Sequence, residues 1–264
     1  MKKKILFWGG KYKAHFINDL ILKNKAADDL SNFSVDYIFD PNLSELKFKT
    51  NATFSNSKKD LSSFLQKSEF FVVCIGNELG MARHLISLEL EKKKLKPLSI
   101  ISKTSSLEGN NYLGKGVQIF PKALVQLNSK IGDQCILNTR SLLEHDCIVG
   151  NGVHIMSGAV IGGNVKIENY VTVGLNATVL PHLNISEGAF IGAGAVVTKN
   201  VGKNEVVAHN PGPDSFVQED ASHLGEELAV PRTFTGLGGT EGPLVEVHVD
   251  HLRNTIPGRF IVLR

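Results

Sequence analysis

The chain has 264 residues, 42% of them hydrophobic and 21% charged, which is typical of a folded globular protein and excludes disorder throughout. The net charge is only +3, and no basic stripe with interleaved aromatic residues indicates nucleic-acid binding. No run approaches the roughly 18 apolar residues of a membrane span, and the apolar run Ile5 to Trp8 is too short for a signal peptide. We therefore expect a cytoplasmic protein of one or two domains, without membrane insertion.

The first hundred residues alternate apolar strand patterns with helical patterns. In chain order we predict a strand at 4–8, a helix at 14–22, a strand at 35–39, a helix at 60–66, a strand at 70–75, a helix at 81–93 and a short strand at 97–102. Strictly alternating strands and helices form a parallel sheet with right-handed crossovers. Residues 1–104 are thus predicted to form a small Rossmann-like α/β domain.

Ligands of such sheets bind at the carboxyl ends of the strands, where glycine turns and helix N-termini attract phosphate. The turn GGKYKAH lacks the GxGxxG spacing, so nicotinamide binding is not supported. Two interpretations stay open: the glycines only make tight turns, or they belong to a nucleotide or sugar-phosphate pocket. That pocket would contain Gly9, Gly10, Lys11, His15, Asp40, Gly76 and Asn77, with Lys13 as a further donor.

A period of six residues runs from Leu113 to Val201. Each six-residue block opens with an aliphatic residue, and its fifth place is almost always small or apolar. Neither a helix nor a half-buried strand has this period, whereas a parallel β-helix does. We predict a β-helix of about five coils over residues 105–210, with residues eighteen apart stacked. Cys135 and Cys147 occupy the inward fifth place and Cys74 lies in an apolar run, so we expect buried thiols.

One block of the repeat brings together Glu144, His145 and Asp146. A carboxylate can hold the tautomer of an imidazole and raise its pKa, which suits a general base near neutral pH. If residues eighteen apart stack, Gly163 lies over His145 and leaves room beside the ring, and its N–H can stabilise an oxyanion. The alternative for this and any other histidine of the repeat is a surface or packing role.

These features resemble the left-handed β-helix, hexapeptide-repeat sugar acetyltransferases. The branch contains the sialic acid O-acetyltransferases and the bacterial amino-sugar N-acetyltransferases of the PglD type. The resemblance covers about residues 3–210. Besides the glycine turn and Gly76-Asn77, it is carried by ILNT at 136–139, EHD at 144–146, GNGVH at 150–154 and GGNVKI at 162–167.

The resemblance implies a homotrimer that transfers the acetyl group of acetyl-CoA directly to the amine of a UDP-, dTDP- or GDP-linked amino sugar, in bacterial surface glycan biosynthesis and without a metal. It implies His145 as general base, oriented by Asp146 or, as second choice, Glu144. The N-terminal domain would hold the nucleotide sugar, with Asn138 on the sugar side. The residues implied for acetyl-CoA are His154, Gly163, Gly192, Gly194 and Ala195.

Two departures from the family pattern stand out. The family often opens with a GxGGH-like turn, so the matching of His15 in GGKYKAH is ambiguous. The family usually ends soon after an NPAK-like segment, whereas here HNPGP at 209–213 is followed by about fifty further residues, and no lysine follows Lys203. We therefore separate residues 211–264 as a C-terminal tail to which the sequence assigns no role.

Three alternatives to amino-sugar N-acetylation remain. An O-acetyltransferase acting on a sugar hydroxyl, of the sialic acid type, would use the same base and donor. A γ-type carbonic anhydrase would bind zinc through His145, His154 and His182, although the two histidines five apart of such sites are missing. A non-catalytic trimeric scaffold would need none of these side chains.

Overall fold

The computed structural model of the protein describes residues 2–23, 30–208 and the short strand Thr233–Phe234; the rest of the predicted tail lies outside the described residues. The N-terminal region alternates strands and helices as predicted, except that one strand, Thr53–Ser55, follows the strand Phe33–Phe39 without a helix between them. Its elements are β1 (Lys3–Trp8), α1 (Tyr12–Leu22), β2 (Phe33–Phe39), β3 (Thr53–Ser55), α2 (Lys58–Lys67), β4 (Phe70–Val73), α3 (Gly80–Lys92) and β5 (Lys96–Pro97). None of the described helices is long and apolar enough to cross a membrane.

The five N-terminal strands form one parallel sheet in the order β3-β2-β1-β4-β5. The strand order reverses between β1 and β4, and such a switch point opens a crevice at the carboxyl ends of the two strands. Gly9-Gly10 follows β1 and Gly76-Asn77 follows β4, so the sheet brings the predicted turns to one crevice. The sequence missed β3, which has only three residues and no buried side chain.

The single strand predicted at 97–102 is wrong. Lys96–Pro97 pairs with β4 in the α/β sheet, whereas Ile100–Ile101 pairs with Gln118–Ile119 as the first strand of the β-helix. The apolar run therefore contains two strands of different sheets, separated by a bend. The β-helix begins at Ile100, a few residues before the predicted position.

The repeat folds into a three-sided parallel β-helix whose two-residue strands stack in three sheets. The covered face, named for the domain that lies on it, contains Ile100–Ile101, Gln118–Ile119, Ile136–Leu137, His154–Ile155, Thr172–Val173, Phe190–Ile191, Glu205–Val207 and Thr233–Phe234. The apolar face contains Ser106–Leu107, Leu124–Val125, Leu142–Leu143, Val160–Ile161, Thr178–Val179 and Val196–Val197. The mixed face contains Tyr112–Leu113, Lys130–Ile131, Ile148–Val149, Lys166–Ile167 and Asn184–Ile185.

The pairing register confirms that residues eighteen apart stack: Leu124 pairs with Leu142, and His154 with Thr172. From Ile100–Ile101 to Val196–Val197, the second residue of each strand points inward and joins one continuous apolar core with the small residues of the fifth place. Cys74, Cys135 and Cys147 are buried free thiols, as predicted. The hexad pattern thus determines both the register and the core.

The α/β domain packs directly on the covered face. Ile100, Phe120 and Ile136 share one apolar cluster with helix α1, and the rings of Phe16 and Phe120 meet edge to face at 5.1 Å. The outward residues of this face are buried from Ile100 to Thr172. Burial of this face fixes the crevice of the α/β domain against the side of the β-helix.

Candidate functional site

His145 lies at a corner of the β-helix, in the turn between the apolar face and the mixed face. The next residue, Asp146, has a φ of 58° in the left-handed region, which the tight corner requires. The side chain of His145 is 51% exposed and that of Asp146 is 46% exposed. The repeat therefore presents both side chains to solvent on a rigid turn.

The carboxylate of Asp146 orients the imidazole. Its Oδ2 lies 2.8 Å from Nδ1 of His145, and its Oδ1 accepts a hydrogen bond from the side-chain amide of Asn128 at 3.3 Å. These two hydrogen bonds hold the pKa of Asp146 below its usual value, and the bond to His145 has the larger effect. The ionised carboxylate accepts the Nδ1 proton, so Nε2 carries the free lone pair. Glu144, the second choice of the sequence, makes no described side-chain hydrogen bond to His145.

Gly163 stacks on His145 as the eighteen-residue register predicts. A methyl group on Gly163 would lie 2.6 Å from Nε2 of His145, and the neighbouring Asn164 donates its N–H to the carbonyl of His145 at 2.9 Å. No described residue accepts a hydrogen bond from the Gly163 N–H. Because glycine has no side chain, the face of the His145 ring lies directly on the main chain of residue 163, beside a main-chain donor without a described acceptor.

Ser129 supports the turn from inside and was missed by the sequence. Its buried hydroxyl donates to the carbonyl of Glu144 at 3.0 Å and accepts from the N–H of Cys147 at 3.1 Å. These two groups flank the His145–Asp146 pair, so Ser129 fixes the turn that carries the pair. The available signal was a hydroxyl at the fifth place of the block, which Ser141 shares and which the repeat otherwise fills with apolar side chains.

At the crevice, Asp40 braces the glycine turn. Its Oδ2 accepts the N–H of Gly10 at 2.8 Å, its Oδ1 accepts the N–H of Asn42 at 3.1 Å, and the residue is only 7% exposed. Gly9 has a φ of 102°, and a methyl group there would lie 3.0 Å from the carbonyl oxygen of Cys74. The turn therefore requires glycine at position 9, and the carboxylate of Asp40 fixes its conformation.

The side chain of Lys13 lies in the same crevice, between Phe120 and Gly76. Its Nζ lies 4.7 Å from the centre of the Phe120 ring, and a methyl group on Gly76 would lie 2.8 Å from its Cε. No described carboxylate pairs with this amine. Burial, with the nearby charge of Arg83, lowers the pKa of Lys13 to about 7. The crevice thus contains a cation without an anionic partner.

The burial of Lys13 predicts a pH-dependent stability. The unfolded chain keeps the proton up to pH 10.5, whereas the folded protein releases it near pH 7, so the cost of burying the charge is complete below pH 7 and disappears as the pH rises to 10.5. We expect Lys13→Met to raise the free energy of unfolding by about 1–3 kcal/mol at pH 6 and by much less at pH 10. Denaturant unfolding measures this.

The exposed neighbour Lys11 provides the control for that experiment. Lys11→Met removes the same charge from the same turn without relieving any burial, and we expect no difference between the two pH values. A stabilisation by Lys13→Met that is equal at pH 6 and pH 10 would contradict the buried-charge explanation.

The other predicted substrate residues lie around the crevice. Lys11 is exposed at the start of α1, and the exposed ring of His15 stacks on Phe48 with 4.8 Å between ring centres. Asn138 stacks directly on Phe120 in the β-helix, since Phe120 donates its N–H to Leu137. Its Oδ1 accepts the N–H of Thr139 at 2.9 Å.

His154 lies apart from His145, on the covered face. It is 3% exposed, and its Nδ1 lies 3.0 Å from the carbonyl oxygen of Asn77. Because a carbonyl only accepts, Nδ1 carries the proton, and Nε2 is a buried acceptor without a described partner. Burial, then Lys13 and Arg83, hold the pKa of His154 well below its usual range. The structure brings His154 to the domain junction and does not bring it to Gly163.

The predicted pantetheine contacts occupy another corner, between the covered and apolar faces. The N–H groups of Gly192, Gly194 and Ala195 already donate to the carbonyls of Val207, Leu175 and Gly192 at 2.6–3.2 Å. Of these three residues, only the carbonyl oxygens are left to bind a ligand through the main chain. Gly194 is exposed with open space where a side chain would project, so a ligand can approach its main chain closely.

The three histidines of the zinc alternative do not converge. His154 is buried at the domain junction, whereas His145 and His182 are exposed on the corner between the apolar and mixed faces. Within the described ranges, no group of three or more His, Cys, Asp or Glu residues could hold a metal ion.

Comparison with known proteins places this geometry in context. The family model described as "Bacterial transferase hexapeptide (six repeats)" matches residues 128–163 and 146–181, the stretch that contains the His145 corner. A comparison with curated proteins found no match.

Three solved structures illustrate the shared fold. The acetyltransferase domain of PglB from Neisseria gonorrhoeae FA1090 is 21% identical with a TM-score of 0.68, covering 80% of this chain and 98% of its own. WeeI from Acinetobacter baumannii AYE is 25% identical with a TM-score of 0.67, covering 80% and 98%. PerB from Caulobacter crescentus, solved with CoA and GDP-perosamine, is 20% identical with a TM-score of 0.66, covering 79% and 95%. The predicted combination of an α/β domain with a left-handed β-helix is confirmed.

Proposed function

We propose that this protein transfers the acetyl group of acetyl-CoA to the amine of a nucleotide-linked amino sugar. The hexapeptide repeat of bacterial transferases and the fold of sugar acetyltransferases support this proposal. One observation carries this proposal: on an exposed corner, Asp146 binds Nδ1 of His145 and leaves Nε2 free, while the face of the ring lies against Gly163. In the division of labour we propose, residues 1–104 bind the nucleotide sugar and residues 105–210 carry the reaction.

His145 would act as the general base. Its Nε2 would accept the proton of the sugar amine as the amine attacks the thioester carbonyl, and the positive charge on the ring would be stabilised by Asp146 at 2.8 Å. Acetyl-CoA supplies an activated acyl group with a thiolate leaving group. Cys135 and Cys147 are buried in the core, which supports direct transfer without an acyl-enzyme.

The N–H of Gly163 would donate to the acetyl oxygen as negative charge develops on it. It is the main-chain donor next to the base that no described residue uses. A fixed donor at a developing oxyanion contributes on the order of 10²-fold or more to the rate. We do not extend this role to His154, because its Nδ1 proton is already donated to Asn77 and its Nε2 can only accept.

The crevice between β1 and β4 would bind the nucleotide. The turn Gly9-Gly10 would shape the wall of the crevice, the uncapped start of α1 directs N–H groups outward, and Lys13 adds an amine without an anionic partner, whose protonated form attracts a phosphate. A neighbour of the same fold was solved with CoA and GDP-perosamine, which supports a nucleotide sugar as the acceptor.

The acceptor atom separates the proposal from its closest alternative, a sugar O-acetyltransferase. One neighbour is described as a GDP-perosamine N-acetyl transferase, which favours an amine. The test is CoA release with UDP-, dTDP- and GDP-linked amino sugars, compared with the matching hydroxyl sugars and with sialic acid. Turnover of a hydroxyl acceptor alone would move the assignment to O-acetylation.

We further propose a homotrimer, supported by the apolar face. The outward residues of this face are mainly aliphatic, namely Leu124, Leu142, Val160 and Val196, whereas those of the mixed face include the polar Lys130, Lys166 and Asn184 besides Tyr112 and Ile148. The His145 corner and the Gly194 corner lie at opposite edges of the apolar face. In a closed ring of three copies, the His145 corner of one copy would lie next to the Gly194 corner of the neighbouring copy. The general base and the segment that binds CoA would then meet between two subunits.

The trimer proposal predicts the effect of a charge on the apolar face. We expect Leu142→Glu to convert the trimer to monomers and to reduce acetyl transfer at least tenfold, because a buried unpaired carboxylate opposes association and the site is shared between copies. Light scattering after gel filtration measures the mass. Lys166→Glu on the mixed face is the control and should stay trimeric. A monomeric wild-type protein would contradict the proposal.

A further inference from the structure

A second buried cation lies outside the site described so far. Arg83 of helix α3 is fully buried, and no described carboxylate pairs with it. Burial lowers its pKa to about 10, so the guanidinium is still protonated at neutral pH. Burying a charge at a junction that apolar residues could fill is costly, unless fixed geometry is required there.

The guanidinium of Arg83 binds only main-chain carbonyl oxygens, and they come from both domains. Its Nε donates to Gln134 at 2.7 Å, and one terminal nitrogen donates to Gly152 at 2.8 Å and to Val153 at 3.5 Å, all in the β-helix. The other terminal nitrogen donates to Ile75, at the exit of β4, at 3.1 Å. A planar fork fixes several acceptors at once, which a lysine cannot do.

The contacts of Arg83 end directly beside the proposed substrate loop. Ile75 precedes Gly76-Asn77, and Val153 precedes His154, whose ring bonds to the carbonyl of Asn77. The start of α3 also touches the same coil, since a methyl group on Gly80 would lie 2.0 Å from the carbonyl oxygen of Gly152. We call Arg83, His154 and this glycine contact the clasp.

We propose that Arg83 is a positioning residue for acetyl transfer, because it fixes the nucleotide-sugar loop Gly76-Asn77 relative to the β-helix coil that carries His145. The coil that bonds to Arg83 at Gly152 also contains His145–Asp146. In the proposed trimer the subunits contact each other through their β-helices. The angle between an α/β domain and its β-helix therefore determines whether the sugar amine reaches Nε2 of His145. A misplacement of about 1 Å can cost 10²-fold in rate.

This inference rests on the proposed function and is tested by comparing two acceptors. We expect Arg83→Met to lower kcat/KM for the nucleotide-linked amino sugar by roughly 10- to 100-fold. Slow transfer to the same amino sugar without its nucleotide, and the KM for acetyl-CoA, should stay within about twofold, since neither requires the α/β domain. Equal losses with both acceptors, or no loss with either, would overturn it.

Two further variants make the result interpretable. Lys115→Met removes an exposed ion pair with Glu91 across the same junction and should leave all rates unchanged. If Arg83→Met does not fold, Arg83→Lys replaces it. This variant keeps the charge but lacks the planar guanidinium that binds several carbonyl oxygens. We again expect kcat/KM to fall for the nucleotide-linked amino sugar and not for the amino sugar without its nucleotide.

A measurement of orientation separates this inference from the proposed function. Spin labels at exposed positions 59 on α2 and 166 on the mixed face report the angle between the domains, because the native cysteines are buried. Wild-type protein without any acetyl transfer would reject the proposed function. The distribution of distances between the two labels then tests the role of Arg83. A broader distribution in Arg83→Met but not in Lys115→Met supports the clasp, and an unchanged distribution in Arg83→Met overturns it.

Discussion

His145→Ala is expected to lower kcat for acetyl transfer by roughly 10²-fold or more, the usual contribution of a general base. The residue is exposed on a rigid corner and packs against no core cluster, so stability should change little. KM for either substrate should stay nearly constant, because the lost interaction forms as the proton moves. Steady-state kinetics at saturating acetyl-CoA, with melting temperature as a check on folding, measure this.

Asp146→Asn is the matched companion of that variant. It keeps the size of the side chain but offers no charge to stabilise the protonated ring, and an amide nitrogen can turn towards Nδ1 and reverse the tautomer. The rate should fall well below wild type, whereas Glu144→Gln should stay close to wild type because its side chain does not hold the ring. Equal losses in both carboxylate variants would contradict the assignment of Asp146. Full activity of His145→Ala would reject His145 as the base.

Gly163→Ala is expected to reduce kcat at least tenfold without loss of stability. The added methyl group would lie 2.6 Å from Nε2 and 2.7 Å from Cε1 of His145, closer than real side chains approach. The exposed imidazole can rotate away, so the fold accepts the methyl group while the Asp146 contact is broken. Kinetics and thermal unfolding of the same preparation measure both effects.

Asn164→Ala is the control for the glycine variant. Asn164 is exposed on the same turn, and its main-chain bond to the His145 carbonyl survives the change. Activity close to wild type is expected. Unchanged activity of Gly163→Ala would show that the close packing of the His145 ring on residue 163 is not needed for the reaction. A large loss of stability would show that the methyl group disturbs the coil instead of the base.

The β-helix was predictable because its repeat is local. An aliphatic residue every six positions fixes the inward side chains, and the eighteen-residue coil that follows places Gly163 over His145 before any coordinates are known. The pairing of His145 with Asp146 follows from adjacency at a corner. The sequence did not decide between Asp146 and Glu144, because the choice depends on the left-handed backbone of Asp146.

Long-range contacts between the domains were not predictable. Arg83 lies in an ordinary helical pattern and gains three of its four carbonyl partners only when α3 meets the β-helix, 51 to 70 residues along the chain. The burial of His154 has the same origin, since an outward position of the repeat becomes buried only when another domain covers it. The split of the 97–102 run also depends on which sheet each half joins.

The most direct test of the proposed function identifies the product of wild-type protein. Acetyl-CoA labelled in the acetyl group is incubated with UDP-, dTDP- and GDP-linked amino sugars, and the product is analysed by NMR and mass spectrometry, with His145→Ala in parallel. We predict one acetyl group on the sugar nitrogen of at least one acceptor and a loss of about 10²-fold or more in the variant. Failure of wild-type protein to acetylate any of the amines would contradict the proposed function.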